Sequence, residues 1–197
     1  GLFTRAAWVI TYDHAPDASP EWISLFTDVA RMVTAVGADV IPARVDRHDA
    51  AVARISHIVH VFAEALAIVG DNGGALAQSL AASSFRDSTR VAGTQPSLVR
   101  AMCETNSEAV VVALDEALEL LNEARADLAK ERPDITTLVE TGYAARVRFE
   151  ARHGARGESV SPVKISSRPL LRLNPGAPGW VSQLEQAESL GGRIDIF

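Results

Sequence analysis

Two short stretches of the chain hold the side chains with the most chemistry to offer. The first runs from His48-Asp49 through Ala53, Ser56-His57 and His60 to Glu64. At a helical advance of about 100° per residue, Asp49, Ala53, Ser56, His60 and Glu64 share one face, with His57 at its edge. Val52, Ile55, Ile58, Val59, Phe62 and Leu66 fall on the opposite side. A solvated polar face is the plain reading. Ala53 and Ser56 are small, however, and small residues beside histidines suggest that something approaches this helix closely. Histidine changes charge near neutral pH, so Ser56, His57 and His60 are suited to anion binding or proton transfer. The second stretch is Phe85-Arg86-Asp87-Ser88-Thr89-Arg90. A guanidinium grips a carboxylate through a planar two-donor fork, which makes Arg86 and Arg90 candidate anion ligands with Asp87 beside them. The competing reading is a connector whose Arg and Asp pair locally and whose Ser and Thr cap helices.

Other chemistry is weaker. His57-x-x-His60 and Glu150-x-x-His153 each put two metal-ligating side chains on one helix face. Arg146, Arg148, Arg152 and Arg156 crowd the second pair, and that positive charge opposes a divalent cation, so no metal is expected. Cys103 has no activating neighbour in the sequence and reads as a small core residue. The chain carries neither the Gly-x-Gly-x-x-Gly dinucleotide turn nor a phosphate-binding Gly-x-x-x-x-Gly-Lys-Ser/Thr.

The elements that must position these residues follow from periodicity and punctuation. Residues 6–11 read as a buried strand. Ser19 can cap a helix that starts at Pro20 and ends at Gly37, and 38–42 read as a second strand. This single β-α-β unit is too small to cover a sheet, and its missing sheet is expected to lie outside the chain. From Asp46 the pattern turns helical: 46–70, 73–84, a long helix from Pro96 or Ser97 to Glu131 stopped by Pro133, and a last one from Asp134 to His153. Phe85–Pro96 reads as an interrupted polar stretch. Residues 154–197 read as a small mixed appendage, with strand-like pieces at Val163–Ile165 and Leu170–Leu173, a helix at Trp180–Leu190 and a final strand at Arg193–Phe197. The fold class is therefore mainly α. It is a helical bundle (46–153) preceded by a β-α-β piece (1–45) and followed by the appendage. The apolar stripe of Val110, Val111, Val112, Leu114, Leu118, Leu120 and Leu121 exceeds what one small bundle can bury, which points to a second subunit.

Composition sets the outer bounds. The chain has 197 residues, 47% hydrophobic and 22% charged, enough for a folded core. Its net charge of −6 argues against a nucleic-acid surface. A single cysteine excludes an internal disulfide and suits a reducing cytoplasm. No uncharged apolar run approaches the roughly 18 residues of a membrane span, and no secretory leader opens the chain. It begins Gly1-Leu2-Phe3 without a methionine, as a trimmed or partial chain would.

The two stretches, in this order, resemble one family. His48-Asp49, Ser56-His57-x-x-His60, Phe85-Arg86-Asp87-Ser88-Thr89-Arg90-Val91-Ala92 and then Asn106 are similar to the C-terminal half of the prephenate/arogenate dehydrogenases. Leu2-Phe3-x-x-Ala6-Ala7-Trp8-Val9-Ile10-Thr11 resembles the segment leading out of that family's nucleotide domain. The likeness covers roughly residues 1–130. It implies that 1–45 are the trailing β-α-β of a Rossmann domain and that 46–153 are the helical part that binds substrate and pairs into a homodimer. It further implies an NAD- or NADP-dependent oxidative decarboxylation of prephenate or arogenate. By the same resemblance Arg90 clamps a substrate carboxylate, Ser56 and His60 hydrogen-bond the substrate, and His57, Arg86 and Asp87 order the pocket wall. The family's catalytic histidine and dinucleotide turn are expected outside this chain, which alone would bind no cofactor and be inactive. A non-catalytic helical dimer that kept the fold is the alternative. No nucleic acid and no membrane is expected as partner.

Overall fold

The computed structural model describes residues 2–153 and 168–197. In chain order the elements are β1 (Ala7–Thr11), α1 (Pro20–Ala35), β2 (Asp39–Ala43), α2 (Val45–Val52), a π-helical turn (Ala53–His57), α3 (Ile58–Asn72) and α4 (Gly74–Leu80). Then follow α5 (Ser83–Thr89), a 3-10 turn (Arg90–Gly93), α6 (Pro96–Thr105), α7 (Ser107–Leu128), α8 (Thr136–His153), β3 (Leu170–Leu173), α9 (Trp180–Leu190) and β4 (Arg193–Ile196). The chain divides into two compact units, one of residues 1–45 with 139–197 and one of 46–138.

The first unit is built on a four-stranded sheet of order β1-β2-β4-β3. β1 and β2 run parallel, joined by α1, whose first turn is fixed by Ser19 accepting a hydrogen bond from the Trp22 N–H. Gly37 follows α1 at φ +82°, the left-handed conformation that lets the chain turn into β2. β4 pairs antiparallel with β2 through Val40 and Ile194, and β3 pairs parallel with β4. The sheet that β1 and β2 need is thus supplied by the C-terminal residues. This corrects the expectation that the tail stands apart as an appendage, while β1 remains an edge strand of the described sheet. Phe26, Ala30 and Val33 of α1 pack with Trp180, Leu184 and Ala187 of α9 and with Val40, Leu173 and Ile194 of the sheet. Trp22 stacks on Phe26, and Phe26 meets Trp180 edge-on.

Two polar networks tie the tail down. The buried Asp39 carboxylate accepts from the guanidiniums of Arg168 and Arg193, each at 3.0 Å. At the other end of the strands, the fully buried Tyr12 hydroxyl donates to Glu188 of α9 at 2.8 Å. The second Glu188 oxygen accepts from the Arg44 backbone N–H at 2.7 Å. Burial and the Glu188 carboxylate both push the Tyr12 hydroxyl well above the usual tyrosine range. Val163–Ile165 lies outside the described residues.

In the second unit α2, the π turn and α3 form one continuous helix, as the 46–70 pattern predicts. The long helix expected from 96 to 131 is broken at Asn106 into α6 and α7. Phe85–Arg90, expected as a non-helical connector, is helical over α5 and the 3-10 turn. The physical reason is Phe85, whose ring docks so closely on Gly70 of α3 that a Cβ there would sit 2.5 Å from it. The buried apolar core of this unit is small: Ala53 with Val110 and Ala113, backed by Ile58 and Ala109, with Ala63 of α3 buried apart from that cluster.

Candidate functional site

The continuous helix from Val45 to Asn72 carries Ser56, His57 and His60. An unbroken α-helix would leave His57 at the edge of the polar face. The π turn at Ala53–His57 changes that phase, and Ala53 and His57 become the two residues of the turn that face inward. Ala53 is 0% and His57 9% exposed, against α6 and α7. The small side chain at Ala53 is what lets Val110 and Ala113 approach, as the sequence suggested. The solvated-face reading fails here. Ser56, His60 and Glu64 are half-buried, whereas Ile55 on the apolar side is 75% exposed and Val59 and Leu66 are exposed too.

The three histidines on this helix differ in their partners. His57 Nδ1 lies 3.3 Å from Asn106 Nδ2, and the same amide nitrogen donates to the Asp49 carbonyl at 2.9 Å. The Cys103 thiol donates to the His57 carbonyl at 3.9 Å. His48 and Asp49 pair at 2.9 Å on a half-exposed flank. His60 Nδ1 is sealed from solvent and has no hydrogen-bond partner among the described residues. Such an unmet group costs about 1–3 kcal/mol, so its retention calls for a ligand or a second chain to satisfy it.

The second stretch packs against the same helix. α5 and the 3-10 turn both lie along α3, with Phe85 docked on Gly70; within α5 itself Thr89 Oγ1 donates to the Phe85 carbonyl at 2.7 Å. Arg86, Asp87 and Arg90 are exposed and make no ion pair among the described residues. The local Arg–Asp pairing of the competing reading does not form. Two unengaged guanidiniums on a segment packed against the histidine-bearing helix suit a carboxylate-bearing ligand. A cavity of about 230 Å³ lined by Gly70, Ala77, Leu80, Ala82 and Phe85 sits toward the far end of α3 and takes in none of the candidate residues.

Sequence reasoning gave Asn106 no role. The link between residues 49 positions apart has no local signal, and the clue in the sequence was the place of Asn106 in the family-like string, inside what reads as one long helix. Among the described residues no three metal-ligating side chains come together. Glu150, half of one candidate pair, is engaged by Arg146 at 2.8 Å. The turn after β1, from Tyr12 to Ser19, holds two aspartates and no glycine, and Asp13 accepts from the Val45 N–H. These residues do not fit a dinucleotide pyrophosphate, which needs a glycine turn and a helix N-terminus free of negative charge.

The exposed apolar surface of this unit is large. Ile55, Ile68, Val69, Leu76, Leu80, Val111, Val112 and Leu121 are each about half exposed or more. The 28-residue helix Val45–Asn72 is, by length and composition alone, apolar enough to cross a membrane. Its apolar span is interrupted by Arg54 and Glu64, so the absence of an uncharged run in the sequence did not exclude this. Arg54 pairs with Glu116 of α7.

Residues 44–141 match the family model described as the prephenate dehydrogenase dimerization domain. The chain belongs to the prephenate/arogenate dehydrogenase family. Its whole length aligns with a Corynebacterium glutamicum protein provisionally named a prephenate dehydrogenase, at 56% identity and a TM-score of 0.91. It covers 58% of that chain. A Synechocystis arogenate dehydrogenase aligns with 75% of the chain at 26% identity and a TM-score of 0.63, with 54% of its own length covered. The A. aeolicus prephenate dehydrogenase, solved with hydroxyphenyl propionate and NAD+, shares the fold over 74% of the chain. Its TM-score is 0.59 at 21% identity, and 49% of its length is covered. No curated protein matches. The chain thus spans about half the length of these relatives.

Proposed function

We propose that this chain is the dimerization and substrate-binding part of an NAD- or NADP-dependent cytoplasmic dehydrogenase that oxidatively decarboxylates prephenate to 4-hydroxyphenylpyruvate. One observation carries the reading. Inside the segment that matches the dimerization domain, the helix bearing Ser56, His57 and His60 holds an unsatisfied His60 Nδ1, and the segment packed on it offers an unengaged Arg90. Arg90 binds a substrate carboxylate through its fork, and His60 and Ser56 hydrogen-bond the same ligand. His57, Arg86 and Asp87 shape the wall around it. The dinucleotide is held elsewhere in the complete enzyme, since the turns present here do not fit it. The exposed apolar faces of α3 and α7 are the contact between two copies of the chain.

The likeness to an arogenate dehydrogenase supports a second reading, in which the side chain of the substrate carries an amino rather than a keto group. Calorimetric titration of the chain with prephenate and with arogenate tests both. One-site binding of either, lost in Arg90→Ala, supports the proposal and selects the substrate. Binding of neither by a folded dimer leaves the non-catalytic module and overturns the proposal.

A further inference from the structure

We infer that Asn106 is a positioning residue that fixes the proton of His57 on Nε2, so that this ring meets a ligand as an N–H donor. The inference rests on the proposed function only for what the ligand is. Asn106 sits at the break between α6 and α7, at φ −110° and ψ 31°, and its side chain caps neither helix. It reaches instead to the helix that carries the π turn. The Asp49 carbonyl lies 2.9 Å from one of its terminal side-chain atoms. A carbonyl oxygen can only accept, so the atom facing it must be the amide NH2 and not the amide oxygen. That orientation is therefore set by the backbone. The same NH2 faces His57 Nδ1 at 3.3 Å. A donor on that side requires a lone pair on Nδ1, which places the ring proton on Nε2.

Nε2 has no partner among the described residues and is left for a ligand. The backbone that carries the ring is placed as well. It belongs to the buried side of the π turn, and the Cys103 thiol donates to the His57 carbonyl. His57 is thereby set apart from His60, whose Nδ1 is buried and unpaired. The structure assigns the two histidines different parts. His57 is a fixed donor, and His60 is the ring whose pairing depends on what binds.

The test is nitrogen NMR of the chain labelled at its five histidines, assigned through glutamine substitutions at His14, His48, His60 and His153. The expected spectrum has His57 as the Nε2–H tautomer. Asn106→Leu, similar in size but unable to donate, should release the ring to a tautomer average and weaken binding of 3-(4-hydroxyphenyl)propionate by roughly tenfold. A wild-type His57 protonated on Nδ1, or already averaging, overturns the positioning role whatever the ligand does. An unchanged His57 signal in folded Asn106→Leu overturns it too. Should that variant fail to fold, the wild-type spectrum alone decides. A locked Nε2–H that does not respond to the ligand leaves the positioning role standing and counts against the proposed function instead.

Discussion

Arg90→Ala separates binding from folding more cleanly than any other change in the chain. The Arg90 side chain is exposed and has no ion pair among the described residues, so its loss removes no contact that holds the unit together. Its segment is held on α3 by Phe85, which is untouched. The melting temperature is therefore expected to stay within about a degree, as for other surface substitutions. Ligand binding is different. A charge-assisted pair with a carboxylate contributes about 1.5–3 kcal/mol, and each 1.4 kcal/mol is tenfold, so affinity for the substrate should fall about 10- to 150-fold. In a turnover assay of the complete enzyme the loss appears in the substrate KM when the contact is equally strong before and at the transition state, and the cofactor KM stays put. Arg90→Lys recovers only part, because a point charge does not reproduce the fork. Arg146→Ala, which breaks an exposed pair with Glu150 and a contact over the Phe149 ring, is the control expected to leave ligand affinity unchanged. Calorimetry and thermal unfolding on the three variants decide. Substrate affinity within twofold of wild type in a folded Arg90→Ala protein refutes the assignment.

Three further outcomes are expected. Light scattering at micromolar concentration should give twice the 21.0 kDa of one chain, with an interface above roughly 2,000 Å²; a monomer at that concentration defeats the dimer. Glu188→Ala strands the buried Tyr12 hydroxyl and the Arg44 N–H and should cost about 1–3 kcal/mol in urea unfolding, while an unchanged midpoint would show that α9 is not anchored there. Burial, with Glu104 adding to it, pushes the Cys103 thiol above its ordinary value, so less thiolate exists at any given pH. Labelling by a disulfide reagent should set in at higher pH in the folded chain than in the urea-unfolded one, and coincident profiles would contradict the burial.

The elements that sequence located well are those with local punctuation. Ser19-Pro20 and Gly37 bracket α1, Trp180 to Leu190 is a helix with glycines at both ends, and Asp134 accepts from the Thr136 N–H where α8 begins. What local signals could not carry is pairing across the chain. Val40 and Ile194 are 154 positions apart, and nothing near either says that β4 completes the sheet of β2. The polar Phe85–Arg90 stretch became helix for a similar reason, because one ring found Gly70 on another element. Ser56, His57, His60, Arg86, Asp87 and Arg90 were legible as residue types with a chemistry. Their partners were not, and Asn106, present in the family-like string, gained its contacts with Asp49 and His57 only once α6 and α7 were seen to part.

The helix from Val45 to Asn72 shows where periodicity stops being informative. A 3.6-residue period tells which side chains share a face, and it is silent on what that face meets. Reading the apolar side as inward follows from the assumption that the core lies within one chain. Here Ala53 and His57 face the chain's own α6 and α7, while Ile55, Val59 and Leu66 are exposed. Four buried apolar residues, Ala53, Ala63, Val110 and Ala113, cannot by themselves offset the entropy of ordering about ninety residues, whereas the exposed Val111, Val112, Leu118 and Leu121 of α7 offer the apolar area that is lacking. The inversion thus has a direct physical sense. Under the proposed function, the polar side of the helix is kept for the chain's own Asn106 and a ligand, and the apolar side for a second copy. On this reading folding, pairing and site assembly are one event, because the same helix presents His60 and the surface that must be covered for it to stay in place.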